Sequence, residues 1–159
     1  MRRWARIFVS GRAPAKEKTL PEKEKGTEAA AHVVLMNDAL ELLEAMQFVL
    51  EDKGYRVTSL EEALTDMRTL ADHHPDLVVL DWLFQGEARG LQVVQAIRLT
   101  PDLKDLPLIV CSAAIREVRE MADYFASQNV TVLFKPFDLD SFLTAVARAL
   151  EKGRFPHAE

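Results

Sequence analysis

In Pro75-Asp76-Leu77-Val78-Val79-Leu80-Asp81-Trp82, residues 77–80 are an unbroken apolar run of strand length that meets an acid at Asp81. Four aliphatic residues in succession, with no polar alternation, suit a strand buried on both faces, as in a parallel sheet. The same unit recurs on either side. Upstream, His32-Val33-Val34-Leu35-Met36 reads as a first strand. It leads into a helical pattern with Leu40, Leu43, Met46, Phe48, Val49 and Leu50 on or near one face, closed by Gly54. Tyr55-Arg56-Val57-Thr58-Ser59 alternates as a second strand, and residues 61–74 read as a helix through Ala63, Leu64, Met67, Leu70 and Ala71, ended by Pro75. Downstream, a loop with Gly86 and Gly90 leads to a third helix marked by Leu91, Val94, Ile97 and Arg98. Residues 107–112 form a fourth strand, 114–129 a fourth helix, 130–134 a fifth strand and 139–152 a last helix, with Phe142, Leu143, Val146 and Leu150 inward and Asp138 as its N-cap. Strict strand–helix alternation predicts an α/β fold, a doubly wound, five-stranded parallel sheet with helices on both faces, for which right-handed crossovers leave few topologies.

Composition narrows the function. The chain of 159 residues has a net charge of −5, yet residues 1–30 carry eight Lys/Arg against four Asp/Glu, and residues 31–159 carry twelve against twenty-one. The expected organisation is a charged, disordered tail over 1–30, a folded domain over 31–153 and a short tail over 154–159. Within the first tail Trp4, Ile7 and Phe8 could form a basic amphipathic turn. The acidic body and the lack of a basic motif argue against nucleic acid. No Gly-rich phosphate loop follows the first strand. No stretch is long and apolar enough to span a bilayer, and the opening apolar run is cut short by Gly11, Arg12 and Pro14, so a cytoplasmic protein without stable membrane insertion is expected. The lone Cys111 reads as a small buried hydrophobe, and His32, His73, His74 and His157 lack zinc-ligand spacing.

In a sheet of this type, ligands gather beyond the carboxyl ends of the strands. Those ends carry Asn37-Asp38, Asp81, Ser112 and Lys135-Pro136, while the second strand ends in the inert Ser59-Leu60. Two neighbouring carboxylates repel, so ionising both calls for a cation. Hard oxygen donors few in number suit Mg²⁺. A carboxylate beside it can take a phosphoryl group, with a lysine neutralising the transferred charge. Singly, each residue has a plainer use: Asp81 solvates a loop, Asp38 caps the first helix, Ser112 is a loop serine and Lys135 a surface lysine. Their meeting at one rim favours chemistry.

From about Ala31 to Gly153 the chain resembles response-regulator receiver domains of the stand-alone, CheY-like kind, which implies the flavodoxin-like strand order 2-1-3-4-5. The matching pieces are residues 32–38, the run 75–82, Pro107-Leu108-Ile109-Val110-Cys111-Ser112-Ala113 and Phe134-Lys135-Pro136-Phe137, with Gly54-Tyr55-Arg56-Val57 at the second strand. The resemblance implies that Asp81 accepts a phosphoryl group from a sensor histidine kinase or phosphotransfer protein. It places Mg²⁺ on Asp38, Asp81, the Leu83 backbone carbonyl and, through water, Asn37. It makes Ser112 the switch hydroxyl, lets Ala113 and Lys135 contact the phosphoryl group, and puts a cis peptide before Pro136. The output would be a surface that binds a still unknown protein target or a second copy, on the face of the fourth helix, fifth strand and fifth helix. No output domain is expected, and no enzymatic turnover beyond self-catalysed transfer to Asp81.

Three departures stand against that pattern. Asn37 replaces an acid, the loop 82–90 lacks the usual proline and is longer, and Val132 occupies a position that is commonly an aromatic switch. They motivate an alternative, a phosphorylation-independent pseudo-receiver that acts as an interaction module. A hydrolase with an aspartyl nucleophile is disfavoured because Leu83 stands where a general acid would be needed. Leu83 and Ala114 are apolar neighbours of the expected phosphoryl group and would shield it from water.

Overall fold

The computed structural model describes residues 29–154. The charged tail, its turn of Trp4, Ile7 and Phe8, and most of the C-terminal tail lie outside them. Five parallel strands, β1 (His32–Met36), β2 (Arg56–Leu60), β3 (Leu77–Asp81), β4 (Leu108–Ser112) and β5 (Val130–Phe134), form one sheet in the order β2-β1-β3-β4-β5. This is the expected doubly wound arrangement. β1, β3 and β4 are buried along their whole length, which is what their unbroken apolar runs require.

Alternation along the strands divides the core in two. Val33, Leu35, Leu77, Val79, Ile109 and Cys111 face α1 (Leu40–Asp52) and α6 (Leu139–Arg154), which bury Leu43, Met46, Leu50, Phe142 and Val146 against them. Val34, Met36, Val78, Leu80 and Val110 face the other way, onto α2 (Met67–Asp72), α3 (Arg89–Leu99), α4 (Ile115–Glu120) and α5 (Ala122–Ser127). Gly54 stops α1 as expected. At φ 89° it lets its own amide reach the Glu51 carbonyl (2.9 Å) and the Tyr55 amide reach Leu50 (3.1 Å), the double bond of a Schellman end. At the other end of the fold, Asp138 caps α6 by accepting from the Ser141 amide at 2.7 Å. Those bonds hold the Asp138 carboxyl below its ordinary range.

Some boundaries differ from the sequence reading. The second helix is six residues long rather than fourteen, because Asp66 accepts the Arg68 amide (2.9 Å) and starts the helix afresh. Ala63 and Leu64 still pack on the core, but from a loop. The fourth helix is two pieces meeting at Met121, whose amide bonds back to Val118, three residues away. β2 begins and ends one residue later than expected. Phe48 is 71% exposed, on the outer side of α1 rather than in its buried stripe.

Candidate functional site

Asp81 closes the central strand, with β1 on one side and β4 on the other. It is 6% exposed. A nearly buried carboxylate needs a partner, and Lys135, the residue after β5, supplies it: Nζ lies 2.8 Å from Asp81 Oδ2. Lys135 is aimed by its own backbone, whose amide donates to the Ser112 carbonyl at 2.8 Å, and the Lys135-Pro136 peptide is cis, as expected. The other carboxylate oxygen, Oδ1, has only the Leu83 amide at 3.4 Å, longer than an ordinary hydrogen bond.

Asn37 and Asp38 follow β1 at the same rim. Asn37 is buried, and its side-chain oxygen accepts the Ala39 amide at 2.8 Å, leaving one lone pair. Asp38 does not cap α1, the plainer use that its position allowed. Its Oδ2 accepts the Gln85 amide at 2.7 Å, which ties the end of β1 to the loop after β3.

That loop has a definite shape. The Trp82 amide donates to the Cys111 carbonyl (2.8 Å), and the Trp82 and Phe84 side chains are buried. Phe84 and Glu87 exchange both backbone bonds across Gln85 (φ 52°) and Gly86 (φ 79°). Two consecutive left-handed residues make the turn of a two-residue hairpin. The chain then returns so closely that a Cβ on Gly90 would stand 2.6 Å from the Asp81 carbonyl oxygen and 2.9 Å from Trp82 Cα. Sequence reading marked Gly86 and Gly90 only as loop glycines and missed Gln85, which acts through its backbone and so leaves no mark in residue type.

Ser112, at the end of β4, is buried, and its hydroxyl oxygen accepts the Ala114 amide (2.9 Å) ahead of α4. Ala113 is exposed beside it. Cys111 is paired in register with Asp81, and burial, helped by that carboxylate, pushes its thiol up to about 12. It is therefore a core residue and not a nucleophile. Val132 is half-buried against the α2–α5 side of the core.

Among the described residues no three His, Cys, Asp or Glu side chains are grouped to hold a metal. The rim instead offers two carboxylates, Asp38 and Asp81, beside the buried Asn37. An all-oxygen set with one or two carboxylates fits Mg²⁺, which keeps much of its water.

A family profile described as "Response regulator receiver domain" matches residues 33–147. The chain belongs to the response-regulator receiver family. Receiver domains are signalling phospho-acceptors rather than enzymes in the ordinary sense. They work with histidine kinases or phosphotransfer proteins and typically bind Mg²⁺ in an acidic pocket. Among curated relatives, the phosphate regulon transcriptional regulatory protein PhoB of Klebsiella pneumoniae is 27% identical over 124 residues, covering 76% of this chain and 53% of that protein. The transcriptional regulatory protein KdpE of Mycobacterium tuberculosis is 31% identical over 125 residues, covering 76% and 51%. The chain thus spans about half the length of the curated relatives it matches. Among solved structures, the chemotaxis protein CheY4 of Vibrio cholerae superposes with a TM-score of 0.64 at 20% identity, over 76% of this chain and 99% of that one. No helix among the described residues is long and apolar enough to cross a membrane.

Proposed function

We propose that the receiver fold over residues 31–153 accepts a phosphoryl group on Asp81 from a histidine kinase or phosphotransfer protein in the cytoplasm. The phosphorylated form would bind a protein target, or a second copy, through the face of α4, α5, β5 and α6. The observation that carries this reading is the 2.8 Å contact of Lys135 Nζ with Asp81 Oδ2 at a rim that also holds Asp38 and Ser112.

The chemistry follows from that contact. Lys135 engages Oδ2, so Oδ1 is the oxygen free to attack phosphorus. A new O–P bond forms, the bond from phosphorus to the donor imidazole nitrogen breaks, and that nitrogen keeps the electron pair. Asp38, Asp81, the Leu83 carbonyl and a water on Asn37 would hold Mg²⁺, which would supply positive charge to the transferring phosphoryl group. Lys135 then moves its ammonium from the carboxylate to a phosphoryl oxygen. The Ala113 backbone lies within the same turn, and Ser112 offers its hydroxyl proton to a second oxygen. Leu83, 37% exposed at the rim, shields the acyl phosphate from water.

The test is mass spectrometry after incubation with acetyl phosphate, with and without Mg²⁺, on wild type and Asp81→Asn. The expected result is a Mg²⁺-dependent gain of one phosphoryl group, absent from the variant. A pseudo-receiver remains as a second reading, because the Asn37 and Asp38 side chains are already engaged by the Ala39 and Gln85 amides. No gain in wild type, with partner binding unchanged by Asp81→Ala, would select it.

A further inference from the structure

The end of the sheet opposite Asp81 carries a groove that the signalling chemistry does not use. It has a volume of about 550 Å³ and lies between the end of α2 and the loop joining α3 to β4. Its apolar lining includes Ala71, Leu103 and Leu106, and its acids are Asp72, Asp76, Asp102 and Asp105. No Lys or Arg lines it; the one other titratable side chain there is His74. Asp76 gives one oxygen to the His32 amide (2.7 Å), and Asp105 lies within electrostatic reach of Arg98 behind the groove. Asp72 and Asp102 are exposed and make no such contact among the described residues.

The described chain enters beside this groove. Ala29 and Ala31 line an adjoining hollow that shares Pro75, Asp76 and Leu106 with it. The residues upstream divide sharply by charge. Residues 13–28 hold four Lys and four Glu and are neutral, whereas residues 1–12 hold Arg2, Arg3, Arg6 and Arg12 with no acid, interleaved with Trp4, Ile7 and Phe8. The groove, half-apolar and with four acids beside His74, is thus complementary in charge and polarity to a segment of the same chain that is basic and rich in large apolar residues, although Arg154 lines the adjoining hollow. The sixteen residues between them reach up to about 50 Å, and such a tether raises the local concentration of the segment to about the millimolar range.

We infer that residues 1–12 dock intramolecularly in the acidic groove at the amino end of the sheet. The arginines pair with Asp72, Asp102 and Asp105, and an apolar side chain covers Ala71 and Leu106. The arrangement is independent of phosphorylation, because it leaves the Asp81 rim open at the opposite end of the strands.

The test uses the full chain carrying Ser10→Cys with a nitroxide label. Cys111 is buried and stays unlabelled in the folded protein. Amide signals of residues 72–74, 76 and 102–106 should broaden most. The broadening should fade severalfold as NaCl rises from about 0.05 M to about 0.5 M, where screening shortens to a few ångströms. It should also be lost in Asp102→Lys/Asp105→Lys and, with the folded part untouched, in Arg2→Glu/Arg3→Glu/Arg6→Glu. Even broadening over the surface, broadening centred elsewhere, or indifference to both variants would overturn the inference. So would broadening that passes only between labelled and unlabelled molecules in a mixture, which would make the occupant a second copy.

Discussion

Lys135→Met separates an ion pair from a pair of solvated side chains. The substitution keeps the apolar stem and removes the ammonium, so Asp81 is left with Oδ1 on a 3.4 Å contact and Oδ2 on nothing that the structure provides. Breaking one partner from a fully buried pair costs about 3–5 kcal/mol. The side chains here are 24% and 8% exposed, so water relieves part of that, and about 2 kcal/mol is expected. With a urea slope of about 2 kcal/mol per molar for a domain of this size, the midpoint falls by about 1 M. The decisive step is the second substitution. Asp81→Asn removes the stranded charge, so Lys135→Met/Asp81→Asn should recover most of the loss, with a coupling of about 1.5–2 kcal/mol, well beyond the 0.3–0.5 kcal/mol scatter of independent sites. Urea unfolding of the four proteins, followed by far-ultraviolet circular dichroism, measures it. Losses that simply add, or a Lys135→Met midpoint unchanged within error, would refute the view that Lys135 compensates the Asp81 carboxylate.

Three further outcomes are expected. Gly90→Ala puts a methyl 2.6 Å from one backbone atom and 2.9 Å from another. Neither can yield without moving the turn that carries Asp81 and Leu83, so stability should drop by about 2–3 kcal/mol, with slower phosphorylation by acetyl phosphate; a fully active, equally stable variant would contradict the close approach. Asn37→Asp adds a carboxylate at the proposed Mg²⁺ rim and should tighten binding by at least about tenfold in calorimetric titration, as one further charge about 5 Å from a divalent cation contributes about 1.7 kcal/mol even at the dielectric of bulk water; unchanged affinity would place the metal away from Asn37. The Cys111 thiol ionises at about 12 when folded, against 9.0 ordinarily. Its raised value contributes stability that is complete below pH 9 and lost as pH climbs towards 12, at about 1.4 kcal/mol per pH unit. The stability difference between wild type and Cys111→Ala should shrink across that window, and a constant difference would mean that the thiol is accessible to solvent.

The strands were legible because each is a short apolar run bounded by polar or turn residues. β1 and β5 lie at the residues expected, and the rim residues Asp38, Asp81, Ser112 and Lys135 could be read off as strand ends. Helices are harder, because apolar spacing reports which residues touch the core and not the backbone that brings them there. Ala63 and Leu64 meet the core from a loop, and spacing alone could not separate that from a helical turn. Asp66 did carry a signal, as a good N-cap just ahead of Met67. Met121 carried none, with no Gly or Pro at the break. Phe48 was misplaced because α1 is apolar enough to offer more large side chains than its buried stripe can take.

The helices whose bounds differ from the sequence reading share one side of the sheet, and that bears on how a signal would leave Asp81. The α1–α6 side is covered by helices of 13 and 16 residues, the latter capped by Asp138. The other side is covered by α2, α4 and α5, each of 6 residues, with only α3 longer at 11. Helices that short owe their stability to packing rather than to their own hydrogen bonds, so local rearrangement costs least on that side. Ser112 is two residues beyond Val110 on the same strand and so faces it too. Its hydroxyl oxygen holds the Ala114 amide at the head of α4. On the proposed reading, turning that hydroxyl towards a phosphoryl group frees this amide and loosens the first turn of α4. Val132 cannot relay the change by flipping an aromatic ring. Arg119 on α4, 6.0 Å from the centre of the Phe134 ring on β5, is positioned to follow it instead. On that reading the readout would belong to α4, α5 and β5, with α6 as a fixed wall: Ser112→Ala should uncouple phosphorylation from changes at Arg119 while leaving α6 amides equally protected from exchange, and altered protection in α6 would show that the wall moves.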